Sequence, residues 1–398
     1  MKFKHTLLFG AFALTLTSAN AATKTFVITG SSAFRAAAHA AILQMLGGQG
    51  TATYSYAVSS ASYGLDDSTR ATFQGTNAAF PGDTIIVKTS WSGSGTGIAA
   101  IAAGTNVQTI VDSYSRTTAG NQLVISGTTN LETNLPASIA FSDVDKSITG
   151  SPSASVTGQQ VGVVPFLFVA GEGAPAGLTN MTDQMHENLW KNGFARGYML
   201  TGNSSDTGYA YATGRSNTSG TRLTILAETR YGAFTGVKQY GPGTLTGTSP
   251  NGSYTSTPTL TSGGNGGQSD SLAVRTQLTN TPKSGTYFVS YLGVADAVQA
   301  TGYSPVTGNS TGGEGARALT YNGVRYSEDN VKNGSYSLWA YQNMYLKSSP
   351  STDQTLFEST LRALIPDQAV ATGAGIKVAD LKVKRTTATS DGSLIIIK

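Results

Sequence analysis

The sequence predicts an α/β protein of two lobes, the first of them assembled from both ends of the chain. Three observations carry this reading. Short apolar stretches with the length of strands alternate with runs of helical spacing over most of the 398 residues, the pattern of a sheet covered by helices. Three turns rich in glycine and hydroxyls, Gly30-Ser31-Ser32, Gly93-Ser94-Gly95 and Ser219-Gly220-Thr221, each follow a strand-like run and open a helical one. Two long apolar or aromatic runs, 161–170 and 336–346, have the length to carry the chain from one lobe into the other and back. Two such crossings divide the chain into 22–165 plus 339–398 for a discontinuous first lobe and 166–338 for the second, with a ligand cleft between them.

The N-terminus stands apart. Lys2, Lys4 and His5 make a basic start, 7–16 is apolar but too short to span a bilayer, and Ala19-Asn20-Ala21 is a small-x-small cleavage site. Residues 1–21 are therefore expected to be a secretory signal peptide. No cysteine occurs anywhere in the chain, which excludes the usual lipid-attached form and leaves core burial, not disulfides, to stabilise an exported protein. A periplasmic location is expected, with secretion or display at the cell surface as the other export outcomes. No later apolar run reaches membrane-spanning length, so an integral membrane protein is not expected.

The elements follow in order. Residues 25–29 form a first strand that enters Gly30-Ser31-Ser32, with Ser32 as expected N-cap, and then a helix through Phe34, Ala37, Ala38, Ala41, Ile42 and Met45. A second strand at 84–88 leads through 91–97 into a helix at 98–103. A third at 137–141 ends on Ser142-Asp143, placing a carboxylate at the carboxyl edge of a strand, where ligands of open α/β sheets gather. After the first crossing come an amphipathic helix over 181–194, a strand at 209–212, and then Arg215 and the turn to a helix at 222–229. Residues 241–268 contain no charge and are mostly Gly, Ser, Thr, Pro and Asn, a composition that builds no core of its own and reads as an exposed loop or hairpin insertion. A strand at 286–292, a helix at 295–300, a loop at 308–315, the second crossing, a helix at 355–364 and a strand at 394–397 complete the chain.

Charge and motif content exclude several classes. Lys and Arg exceed Asp and Glu by only four, charged residues are 12% of the chain, and no dense basic cluster occurs, so nucleic acid is not an expected partner. There is no Gly-Lys-Thr phosphate loop, and there are too few histidines for a zinc site. His39 and His186 lie on polar stretches and are expected to be solvated. No catalytic residue, metal or cofactor is expected.

What the turns do offer is a place for an anion. Unpaired N–H groups and the helix dipole favour negative charge at a helix start, each worth roughly half a charge. Arg215 adds a fork of donors, and the hydroxyls of Ser94, Ser219 and Thr221 add more. Asp143 only accepts, so it favours an oxyanion that still carries a proton and repels fully deprotonated sulfate.

These pieces resemble the periplasmic phosphate-binding proteins of ABC transporters. The family's Arg-x-Asp-Gly-Ser-Gly-Thr is similar to Arg215-Ser216-Asn217-Thr218-Ser219-Gly220-Thr221, its Gly-Ser-Ser-Gly-Gly turn to 93–97, its Ala-Ser-Asp to Phe141-Ser142-Asp143, and its opening turn to 30–34. The resemblance implies the type II periplasmic-binding-protein fold, a monomer that binds inorganic phosphate and delivers it to an ABC transporter permease. It also implies phosphate contacts from Ala33, Phe34 through its main-chain N–H, Ser94, Asp143, Arg215, Ser219, Gly220 and Thr221. Asn217 and Thr218 stand where the family has Asp-Gly, and Ala33 where it has threonine. Two other readings stay open: a secreted phosphoester hydrolase on the same fold, with Asp143 as its only obvious base, and a surface or adhesion protein that kept the fold.

Overall fold

The computed structural model describes residues 21–125, 127–150, 155–261, 266–387 and 392–398. All but the last residue of the expected signal peptide lies outside them. Eleven strands run in one path through a mixed sheet: β1 (Thr23–Gly30), β2 (Thr53–Val58), β3 (Arg70–Gly75), β4 (Thr84–Trp91), β5 (Asn121–Val124), β6 (Ile139–Ser142), β7 (Val156–Ala170), β8 (Phe194–Arg196), β9 (Tyr209–Ala212), β10 (Thr286–Gly293) and β11 (Trp339–Lys347). Their spatial order is β8-β9-β10-β7-β11-β6-β1-β4-β3-β2-β5. The helices used below are α1 (Arg35–Met45), α2 (Ser94–Ala103), α3 (Asp183–Asn192), α4 (Gly220–Glu228), α5 (Ser271–Thr279), α6 (Val294–Thr301) and α7 (Thr352–Ala371).

The centre of this order explains the architecture. β11 pairs antiparallel along its whole length with Val156–Pro165 of β7, with a bulge between Gln342 and Asn343. On one side β11 continues to β6, β1 and β4; on the other β7 continues to β10 and β9. The pair thus joins two strand sets, which form the two lobes. β7 is buried from Val161 to Ala170 but exposed over Thr157–Gln160. Its apolar part is the run expected to cross, and Thr157–Gln160 were not legible because they are glycine or polar and exposed on both faces of the strand.

β1 lies between β4 and β6, parallel to both. That brings the carboxyl ends of β1, β4 and β6 to one edge, where Gly30, Trp91 and Ser142 hand the chain to their turns. α7 covers this lobe and is longer than the sequence predicts, despite Pro366 inside it. Phe357, Leu361, Ile365 and Ala369 form a buried stripe at every fourth position, and Phe357 stacks on Phe26 of β1 at 4.0 Å. Burial of that stripe outweighs the local cost of the proline.

Within the 241–268 segment, the chain up to Leu260 is a nested hairpin, Tyr240–Gly241 pairing with Thr259–Leu260 and Leu245–Thr246 with Ser253–Tyr254. It is not wholly exposed, because Tyr254 is buried edge-on against Phe288 of β10.

His39 and His186 depart from expectation: neither has any exposure. The Trp91 indole donates to His39 Nε2 at 3.0 Å, so the Nδ1 proton points to the Leu65 carbonyl at 3.2 Å. His186 lies among Phe168, Trp190 and Tyr231. Burial pushes each imidazole pKa down to about 3, helped at His39 by Arg35. The polar neighbours of His186 that suggested solvation, Gln184 and Glu187, are exposed on other faces of its helix, whereas His39 has alanines on both sides in a helix buried almost all round.

Candidate anion-binding site

Three helix starts meet where the lobes face each other. The first follows β1. Ser31, not Ser32, caps it, its hydroxyl accepting from the Ala33 N–H. Ser32 is freed to reach the other lobe. The second follows β4, where the N–H groups of Ser92 and Gly93 donate to the Gly30 carbonyl at 3.0 and 2.8 Å, tying the two turns together. Gly93 takes φ +98°, which a residue with a side chain rarely adopts. The third is α4, capped by Ser219, whose hydroxyl accepts from the Arg222 N–H at 3.4 Å. The lobes touch directly where the Gly95 N–H donates to the Thr218 carbonyl at 2.9 Å.

Asp143 follows β6, has no exposure, and points across the cleft to α4. The Ser94 hydroxyl donates to its Oδ1, and the Thr221 hydroxyl donates to its Oδ2 at 2.8 Å. Gly220 makes this approach possible, since a Cβ there would overlap both Asp143 Oδ1 and Ser94 Oγ. The carboxylate therefore lies against the start of α4, where the helix dipole favours it. Each carboxylate oxygen has a second lone pair beyond the one these hydroxyls use.

Arg215 follows β9 and is 2% exposed. Its Nη1 donates to Ser32 Oγ at 3.2 Å, its Nη2 to the Ser269 carbonyl at 2.8 Å, and its Nε to the Gln268 carbonyl at 3.3 Å. All three acceptors are neutral. Among the described residues no carboxylate lies within ion-pair distance of this guanidinium. Burial lowers its pKa, with Asp270 and Asp143 opposing from further away. A buried cation without a counter-charge is costly unless something anionic completes it.

Of the eight residues taken from the sequence, Ser94, Asp143, Arg215, Ser219, Gly220 and Thr221 converge here. The side chains of the other two do not. Ala33 packs on Gly293, and the Phe34 ring reaches toward Gly162 and Gly375, with Phe141 at 6.5 Å. Only their main chain stands at the helix start. Ser32 was missed as a site group because the sequence reading assigned its hydroxyl to the cap; the second hydroxyl in the same turn was the available signal. Ser271, whose N–H donates to Ser32 Oγ at 3.3 Å, joins it. Asn217 is exposed and, with Thr218, lines a separate hollow of about 250 Å³ rather than the guanidinium. A roomier hollow of about 680 Å³ runs beside β7 and β11 past Gln159, Gln160 and Tyr345, and brings together none of the converging residues.

No protein-family profile matches the chain, and no curated sequence matches it. Solved structures do. One, described as a phosphate ABC transporter substrate-binding protein from Clostridium perfringens with bound phosphate, aligns over 89% of this chain and 100% of its own at 11% identity and a TM-score of 0.52. An ABC-type phosphate transport receptor from Vibrio cholerae aligns over 88% and 99% at 13% identity, TM-score 0.44. PstS from Borrelia burgdorferi aligns over 89% and 100% at 12% identity, TM-score 0.39. The first of these likenesses shows the fold: the chain has the two-lobed α/β architecture of a periplasmic binding protein.

Proposed function

We propose that this chain is an exported solute-binding protein that captures inorganic phosphate, as hydrogen phosphate, between its lobes 22–165 plus 339–398 and 166–338. It then presents the ion to an ABC-type uptake permease, acting as a periplasmic monomer. The observation that carries the reading is Arg215: a buried guanidinium held only by neutral acceptors, at the meeting point of three helix starts. The phosphate bound by the Clostridium perfringens protein of this fold supports the choice of ion.

Charge accounting agrees. Arg215 and three helix ends bring roughly +2.5, while Asp143 and a doubly charged ion bring about −3. The ion's remaining proton meets a free lone pair of Asp143, an arrangement sulfate lacks at neutral pH, and two facing acceptors cost several kcal/mol in a dry site, on the order of an unpaired buried polar group. Calorimetric titration of the mature protein tests the proposal: saturable phosphate binding, sulfate at least tenfold weaker, and no turnover of an aryl phosphate are expected. Absence of phosphate binding overturns it.

A further inference from the structure

The site's arginine is fastened by a segment that no resemblance accounts for. The chain returns from the charge-free insertion through Gly266–Ser269, and this return lies along Arg215 like a short parallel strand. Gln268 N–H donates to the Gly214 carbonyl at 2.8 Å, and Ser216 N–H donates to the Gln268 carbonyl at 2.9 Å. The next carbonyl, Ser269, takes Arg215 Nη2. Behind the arginine, Gln239 enters the insertion fully buried. Its Nε2 donates to the Arg215 carbonyl at 3.1 Å and also to the Gly266 carbonyl. Gln239 thus staples the two ends of the insertion to the arginine's own backbone. Gly267 lies so close that a Cβ there would overlap Arg215 O and C.

We infer that the 241–268 insertion is part of the binding machinery: its return segment and Gln239 position Arg215 for the anion. The inference rests on the phosphate reading above. Its chemical sense lies in the acceptors used. A carboxylate partner would aim the guanidinium equally well but would neutralise it. Backbone carbonyls aim it while leaving its full charge for the ligand. Gln239 and Gly267 are positioning residues in this scheme, because each acts through Arg215.

The experiment compares phosphate affinity by calorimetry in the wild type, Gly267→Ala, Arg215→Lys and the double variant. Gly241→Ala serves as a control at the far end of the insertion, where a Cβ meets only a methyl at 3.6 Å. Gly267→Ala is expected to weaken phosphate binding at least tenfold and Gly241→Ala less than twofold. Adding Gly267→Ala to Arg215→Lys is expected to cost almost nothing further, since both changes act on one group. A merely structural role would make the two losses multiply. If Gly267→Ala fails to fold, Gln239→Leu, which keeps the volume and removes both donors, replaces it in the same cycle. Wild-type affinity in these variants, or multiplying losses, overturns the inference while phosphate binding stands. No phosphate binding by the wild type overturns both.

Discussion

Arg215 and Arg275 are both buried arginines at the face where the lobes meet, and they are handled in opposite ways. Arg275, on α5, is ion-paired with Asp67 at 2.6 Å across the cleft and with Glu314 at 2.5 Å, and lies over the Tyr63 ring. Burial alone would lower its pKa, but the hydrogen bond to Glu314 and the nearby carboxylates reverse that and raise it. Arg215 has no such partners, and its pKa is lowered. The same residue at the same depth is neutralised by the protein in one place and left charged in the other. What separates a latch from a ligand site is therefore not burial or residue type but who supplies the counter-charge.

The comparison breaks most visibly in stability. Arg275→Met orphans two buried or half-buried carboxylates and is expected to cost about 3–5 kcal/mol of unfolding free energy. Urea unfolding without ligand reads this directly; a loss under 1 kcal/mol would mean the network is solvated and holds nothing. Arg215→Met orphans only a hydroxyl and two carbonyls, and about 1–2 kcal/mol is expected. Its effect belongs in binding: phosphate affinity should fall at least a hundredfold, about 2.7 kcal/mol. Unchanged phosphate affinity in that variant removes the anion site altogether.

Much of this was legible from residues alone, for physical reasons that differ by element. The buried part of the long strand β7 was visible because a strand buried on both faces reads as a nearly continuous apolar run, as 161–170 does. The converging turns were visible because glycine and serine are what helix starts at a strand edge require. The handling of Arg215 was not. Its acceptors are backbone carbonyls, which every residue carries, so nothing in the letters Gln268 and Ser269 marks them. The latch was equally hidden, since Asp67 and Arg275 are 208 positions apart and only the fold brings them together. His186 misled for a related reason: its sequence neighbours report other faces of a helix, not the face it points from.

Asp143 sharpens the contrast from the anion's side. Asp67 is held by an arginine, Asp143 by hydroxyls that can rotate. Asp143→Asn should therefore leave the fold within about 1 kcal/mol, while an amide N–H facing the ion welcomes sulfate. A shift of at least tenfold in the phosphate-to-sulfate affinity ratio is expected, about 1.4 kcal/mol. Competition calorimetry measures it, and an unchanged ratio would place ion discrimination elsewhere.

His186 tests whether an unsatisfied buried group is by itself a sign of ligand binding. Among the described residues neither of its ring nitrogens has a hydrogen-bond partner, yet its surroundings are aromatic, with Trp190 stacked at 4.6 Å. Nothing there attracts an ion, so His186→Phe should leave phosphate affinity unchanged. Stability should respond instead. The folded imidazole is held neutral to about pH 3, whereas the unfolded one takes a proton near 6.5. His39, also held neutral to about pH 3, weakens folding in acid in both proteins, and His186 by itself takes a further loss of roughly 1.4 kcal/mol per pH unit as pH falls below 6.5 in the wild type. The phenylalanine variant lacks that loss, and about 1 kcal/mol or less should separate the two at pH 7.5, widening in its favour by pH 5. Urea midpoints across that range settle the slope. A variant that keeps the wild-type acid slope, or that loses phosphate, would show that His186 is wetter or better connected than its aromatic neighbours imply, and the counter-charge criterion drawn from the two arginines would then lose its control.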